Sequence, residues 1–173
     1  MTIQDAIQEY LTNANQAIDE QQIVKSGDQI TVDYIGRLDD TQVFDTSIET
    51  IAQAAGTYTP QRNYNEGLSF HAGAGEMIPG FDEAVMGMKV GETKTVTIPP
   101  EKAYGERSED LVIPVSLDQA GDVSGVKVGD TIFLNGQYPA KIAEINDQEV
   151  VFDMNSELAG KTLIFDITIK SIN

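Results

Sequence analysis

Hydrophobic and polar positions change period several times along the chain. Over residues 3–18, Ile3, Ile7, Tyr10, Leu11, Ala14, Ala17 and Ile18 recur at spacings of three and four among acids and amides. The pattern predicts an amphipathic helix, either an arm that packs on the core or a seam for a second copy of the chain. Gln21 and Gln22 lead from it toward the first strand. A period of two then takes over at Ile30, Val32 and Tyr34, returns at Val96 and Ile98, and reappears at Leu163, Phe165, Ile167 and Ile169, as strands with one buried face require.

Helical spacing returns at Ile48, Ile51, Ala52 and Ala55, where Thr46 and Glu49 stand in capping-box register and Gly56 ends the stripe. Tyr58 to Gly67, with Pro60, Asn63 and Asn65, reads as a loop. A further helix runs from Pro79 or Gly80 through Phe81, Ala84, Val85 and Met88 and stops at Gly91, its apolar face laid on the sheet. Three related turn signals, Lys25-Ser26-Gly27-Asp28, Lys89-Val90-Gly91-Glu92 and Lys127-Val128-Gly129-Asp130, each precede a strand. They read as local turn chemistry, not as a sequence repeat. Beyond Gly105 the composition changes. Residues 107–155 carry the strands Val112–Val115, Thr131–Leu134, Tyr138–Ile145 and Val150–Phe152, a Gly121 to Gly125 turn, the hairpin signal Asn135-Gly136 and the turn Asn146-Asp147. Because the strand at Leu163 resumes the earlier alternation, this small mostly-β unit reads as an insertion.

Charge and chemistry narrow the function. The 173 residues carry a formal net charge of -17 with no basic block, a field that repels phosphate backbones and anionic lipid. The acids are spread, which fits a solvated acidic surface or, more sharply, a salt-rich habitat. There is no cysteine, and a single histidine, His71, cannot make a His-based metal site; it reads as a surface or satisfied core residue. Neither a signal peptide nor a run of about 18 apolar residues is visible, so the chain reads as cytoplasmic. A hydrolase is disfavoured, since neither a Ser-His-acid order nor a Gly-x-Ser-x-Gly elbow occurs.

Three aromatic segments, Val43-Phe44-Asp45-Thr46-Ser47, Glu76-Met77-Ile78-Pro79-Gly80-Phe81 and Ala103-Tyr104-Gly105-Glu106, are pinned by Gly, Pro or Asp and hold no recognisable nucleophile. They suggest a cup that holds an apolar group without covalent chemistry. Tyr104, locked between Ala103 and Gly105, looks placed to present its hydroxyl. Tyr34, Phe70 and Phe165 occupy inward strand positions and serve core packing or the cup. Phe81 is either a pocket floor or a helix residue that packs on the sheet. Asp45 caps the following helix, orients tyrosine hydroxyls, or both.

With Val32-Asp33-Tyr34-Ile35-Gly36, Gly75 to Ala84, Pro100 to Gly105 and Glu157 to Leu163 in the same order, the chain over about residues 24–173 resembles the FKBP-type peptidyl-prolyl cis-trans isomerases. More narrowly, it is similar to the archaeal FKBPs and the bacterial SlyD group, which carry an insert-in-flap module with chaperone activity. The resemblance implies an α+β fold: a twisted antiparallel sheet wrapped on a short helix, with an inserted small mostly-β module and an N-terminal amphipathic helix. The expected divisions are 1–22 as a helical extension, 23–106 with 156–173 as the isomerase domain, and 107–155 as the chaperone-like insert.

The same resemblance implies a proline pocket of Tyr34, Phe44, Asp45, Phe81, Tyr104 and Phe165, with Phe70, Met77 and Ile78 at the bound peptide and Leu68 at the rim. The Ile78 N–H and the Tyr104 hydroxyl are its implied donors. The expected partners are unfolded or proline-containing polypeptides and, as candidates, the macrolide inhibitors of the family. Nucleic acid, membrane and cofactor are not expected, and metal handling is not carried over because the histidine-rich tail of the bacterial relatives is not matched. On the insert, Val112, Ile113, Val115, Leu117, Ile132, Leu134, Tyr138 and Ile142 form either a client-binding surface or the module's own core. The rival reading is a catalytically silent peptide-binding or scaffold module on the same fold.

Overall fold

A computed structural model describes residues 2–13, 18–64, 66–121, 125–134 and 138–173, for Leu134 by backbone alone. The chain divides into two compact units, Met1–Tyr104 with Lys161–Asn173, and Gly105–Gly160. In chain order the first unit carries α1 (Ile3–Thr12), β1 (Asp19–Ile23), β2 (Gln29–Arg37), β3 (Val43–Thr46), α2 (Glu49–Ala55), β4 (Leu68–His71), α3 (Pro79–Val85), β5 (Lys89–Val90) and β6 (Thr93–Ile98). The second carries β7 (Val112–Ser116), the short helix α4 (Leu117–Ala120), β8 (Thr131–Leu134), β9 (Tyr138–Ile145) and β10 (Glu149–Asp153); β11 (Leu163–Ile172) returns to the first.

In the first unit an antiparallel sheet runs β3-β2-β11-β6, with β4 also pairing β2. β11 lies along one edge of β2, while β3 meets residues 35–37 and β4 meets residues 29–32 on the other. Strand alternation then separates two faces. Ile30, Val32, Phe165, Ile167 and Ile169 are buried on the face that meets Phe81 of α3. On the opposite face, Ile35 joins Ala6, Ile7, Val43 and Ile51 in a second cluster beneath α1 and α2. The N-terminal helix therefore spends its apolar stripe on its own chain, as a core-packing arm.

That opposite face also holds the polar centre of the sheet. Asp166, fully buried, accepts from Arg37 Nε at 2.8 Å, from Arg37 Nη2 at 3.3 Å and from Thr95 Oγ1 at 2.6 Å. A carboxylate removed from water survives there because its lone pairs are met by a cation and a hydroxyl. The Tyr10 hydroxyl of α1 bonds Thr168 Oγ1 beside it.

Four elements differ from the sequence expectation. The first helix ends at Thr12, with Asn13 as its cap; Ala14 and Ala17 lie outside the described residues. Gln21 and Gln22 belong to β1, which exists by pairing with β5, a tertiary contact that periodicity cannot reveal. The Thr46–Glu49 capping box does not form: Thr46 sits in β3, its Oγ1 donates to the Tyr34 carbonyl at 2.7 Å, and Ile48 precedes α2. The third helix stops at Val85, short of Gly91, because Gly87 turns with φ 79° and the chain then exchanges hydrogen bonds with Val24.

The three turn signals share one geometry. The N–H groups of Lys25, Lys89 and Lys127 donate to the carboxylates of Asp28, Glu92 and Asp130, and Gly27, Gly91 and Gly129 take φ between 88° and 96°. That region admits glycine without a Cβ clash.

In the second unit the antiparallel order is β7-β10-β9-β8. Its core is Ala140, Ile142, Val150 and Phe152, with Val115, Leu117, Ala120, Val126 and Ile132 packed around it. This corrects the expected client surface: Ile142, Val115, Leu117 and Ile132 serve the core, and Leu117 opens α4. A unit this small needs most of its apolar residues inside. Val112 is half-buried, and among the described residues of this unit the exposed large apolar ones are Leu111, Ile113, Val128, Phe133 and Tyr138. The Asn135-Gly136 signal, most of the Gly121 to Gly125 turn and the Leu134 side chain lie outside what is described.

Candidate active site

The site is built outward from Tyr34, in the middle of β2. Asp45, Thr46 and Ser47 each bond to it. Ser47 Oγ accepts from the Tyr34 N–H at 2.9 Å, and the Ser47 N–H and Thr46 hydroxyl both donate to the Tyr34 carbonyl. The Tyr34 hydroxyl donates to Asp45 Oδ2 at 2.6 Å. Asp45 thus orients the tyrosine and does not cap α2.

Around that anchor five rings meet. Phe81, with no exposed surface, contacts Phe165 at 5.1 Å, Phe70 at 5.6 Å and Tyr34 at 6.1 Å between centroids. Phe44 completes the group edge-on to Phe165 at 5.7 Å. These edge-to-face arrangements suit the ring quadrupoles and fix the rings relative to one another. Gly36 makes the arrangement possible: a Cβ there would stand 2.7 Å from Phe44 Cζ and 3.0 Å from Phe165 Cε1. Leu68, half-buried, shares the Phe70 face of β4. Phe81, on α3, is therefore the helix residue that packs on the sheet, beneath the other rings.

Met77 and Ile78 are half-buried and lead directly into α3, where Pro79 occupies the first turn. Among the described residues the Ile78 N–H donates to no protein acceptor, while the Ile78 carbonyl receives Phe81 and Asp82. The segment before it is braced twice. Asp82 accepts from the Gly73 and Gly75 N–H groups at 2.7 and 3.0 Å, and Glu76 accepts from the His71 backbone and faces its ring Nδ1 at 3.0 Å. His71, partnerless in the sequence motif, therefore has a partner in this loop. Tyr104 stands apart: it is 47% exposed and makes none of the ring contacts that join the other five.

Sequence reasoning missed Arg62. Its Nη1 donates to Asp45 Oδ1 at 2.7 Å and its Nη2 to the Tyr34 hydroxyl at 2.9 Å. Both Asp45 oxygens are thereby occupied, since Oδ1 also receives the Thr46 N–H. Burial pushes the Tyr34 phenol up to about 12, with the Asp45 hydrogen bond adding to the shift. The signal that points to Arg62 is compositional: it is the only lysine or arginine between Arg37 and Lys89.

Known proteins share this sequence over most of its length. The short-type peptidyl-prolyl cis-trans isomerase of Methanocaldococcus jannaschii is 45% identical over 150 residues, 87% of this chain and 94% of that protein. FK506-binding protein 2 of Yarrowia lipolytica is 36% identical over 112 residues, 58% of this chain and 68% of that protein. SlyD of Treponema pallidum, an FKBP-type isomerase by name, is 35% identical over 108 residues, 61% of each chain. Residues 20–170 match the model of one family throughout, and the chain belongs to the FKBP-type peptidyl-prolyl cis-trans isomerases.

Proposed function

We propose that the cup of Tyr34, Phe44, Phe70, Phe81 and Phe165 is where this isomerase turns Xaa-Pro bonds of unfolded or partly folded polypeptides. The observation that carries the reading is that the polar groups at the cup are already committed. Asp45 accepts from Tyr34, Arg62 and Thr46, and the Tyr34 hydroxyl is donated to Asp45. Among the described residues no nucleophile joins these rings, and none is needed.

Rotation about a prolyl amide faces a barrier of about 18–20 kcal/mol because resonance is lost when the bond twists. The twisted carbonyl is less dipolar than the planar one, so an apolar cup that strips water from it penalises the ground state more. A thousandfold acceleration asks for about 4 kcal/mol. The Ile78 N–H, without a protein acceptor, is the donor available to hold the bound peptide, with the exposed Tyr104 hydroxyl as a second. Arg62 holds Tyr34 and Asp45 in register.

In a coupled proline-peptide isomerisation assay, Phe44→Ala and Phe81→Ala should each lower kcat/KM at least tenfold and Tyr104→Phe less. Unchanged rates in all three would refute the cup and favour a silent binding module. A family macrolide that competes with the peptide would mark the same cup.

For the second unit we infer a chaperone role through Phe133, Val128, Tyr138, Ile113 and Leu111, the exposed apolar residues that its own core leaves over. Two binding regions on one chain raise the local concentration of a captured proline segment. Val128→Ser with Phe133→Ser should lower catalysis on a refolding protein more than on a short peptide; equal loss on both substrates argues against the division.

A further inference from the structure

The segment between α2 and β4 does more than supply Arg62. Tyr58 and Tyr64 stack with centroids 5.4 Å apart and planes within 17°. The Tyr64 hydroxyl accepts from the Thr59 N–H at 3.0 Å, and the Arg62 guanidinium lies 5.4 Å from the Tyr64 ring while bonding Asp45 and Tyr34. The ring pair is thus held by its own loop and coupled to the cup through one cation. Neither ring belongs to the buried core, and Tyr58 is 42% exposed.

We propose that this Tyr58–Tyr64 shelf is a second substrate subsite that takes an aromatic side chain near the proline in the sequence of the bound polypeptide. The inference rests on the cup being the isomerase site. Arg62 lies 6.0 Å from the Tyr34 ring and 5.4 Å from Tyr64, so Tyr64 is within about 11 Å of Tyr34 and Tyr58 within about 17 Å. Extended chain covers roughly 3.3–3.6 Å per residue, so the shelf is reached from positions two to five residues away from the proline. A pre-stacked ring has little freedom left to lose, which is how aromatic anchors gain binding cheaply. The neighbouring guanidinium disfavours a second cation on the Tyr64 face, so the shelf selects a ring over lysine despite the acidic protein.

The test is a peptide series with one phenylalanine placed two to five residues before or after the proline, each compared with alanine and lysine at the same position. At one or more positions phenylalanine should be favoured about three- to tenfold in kcat/KM over alanine. Tyr58→Ala should bring that ratio close to one, and Tyr58→Phe should keep it. The shelf is overturned if no position favours phenylalanine, if lysine gains as much, or if the ratio survives Tyr58→Ala. Phe44→Ala on the alanine peptides reads the cup separately: a reduced rate there without a phenylalanine preference rejects the shelf alone, and an unchanged rate rejects both.

Discussion

Tyr34 shows how much one residue depends on its partners. Its carbonyl, amide, ring and hydroxyl are each engaged by a different group, and its hydroxyl is kept neutral by burial and by Asp45, with the phenol up to about 12. Tyr10 is pushed up to about 12 as well, chiefly by burial. Both shifts favour the neutral form in the folded state. Their contribution is complete below pH 10, near the unfolded phenol, and is lost as pH rises toward 12. Stability measured by denaturation from pH 9 to 12 should therefore fall, and fall less steeply in Tyr34→Phe; parallel curves would show that Tyr34 is not the titrating group. Tyr34, Phe44 and Asp45 were legible in the sequence because they stand in short local motifs. Arg62 was not, since it reaches Asp45 across 17 residues from a loop without periodicity.

At the scale of elements, α1 supports the site from behind. Ile7, 3% exposed, packs in one cluster with Ile35, the residue after Tyr34 in β2. Ile7→Ala should cost about 2–5 kcal/mol of stability, the usual loss for a buried branched side chain. A loss below about 1 kcal/mol in a denaturant titration would mean that the helix does not dock in solution. The strands read from a period of two were recovered at Gln29–Arg37, Thr93–Ile98 and Leu163–Ile172, since their large apolar residues alternate onto the face that meets α3. Helix ends and the pair β1–β5 were not, because a helix stops where its backbone finds a better partner elsewhere, as Gly87 and Met88 do with Val24. The insert's apolar residues were legible as apolar, but alternation could not say which face was core: Ile142 lies inside while Phe133 is 64% exposed.

For the whole molecule, the net charge of -17 sets a self-repulsion that salt screens. The melting temperature should rise between dilute buffer and about 1 M NaCl, where the screening length shrinks to roughly 3 Å; a protein most stable at low salt would argue against a salt-adapted surface. Among the described residues no helix is long and apolar enough to cross a membrane. The sequence alone determined the α+β class, the order of the family's motifs and the absence of a cysteine nucleophile, because composition and short-range pattern are properties of neighbouring residues. Only the tertiary structure decided that Arg62 completes the Tyr34–Asp45 pair, that Gly36 clears space for Phe44 and Phe165, and that Tyr104 stands apart from the rings. Those facts depend on distances between residues far apart in the chain, which no local period encodes.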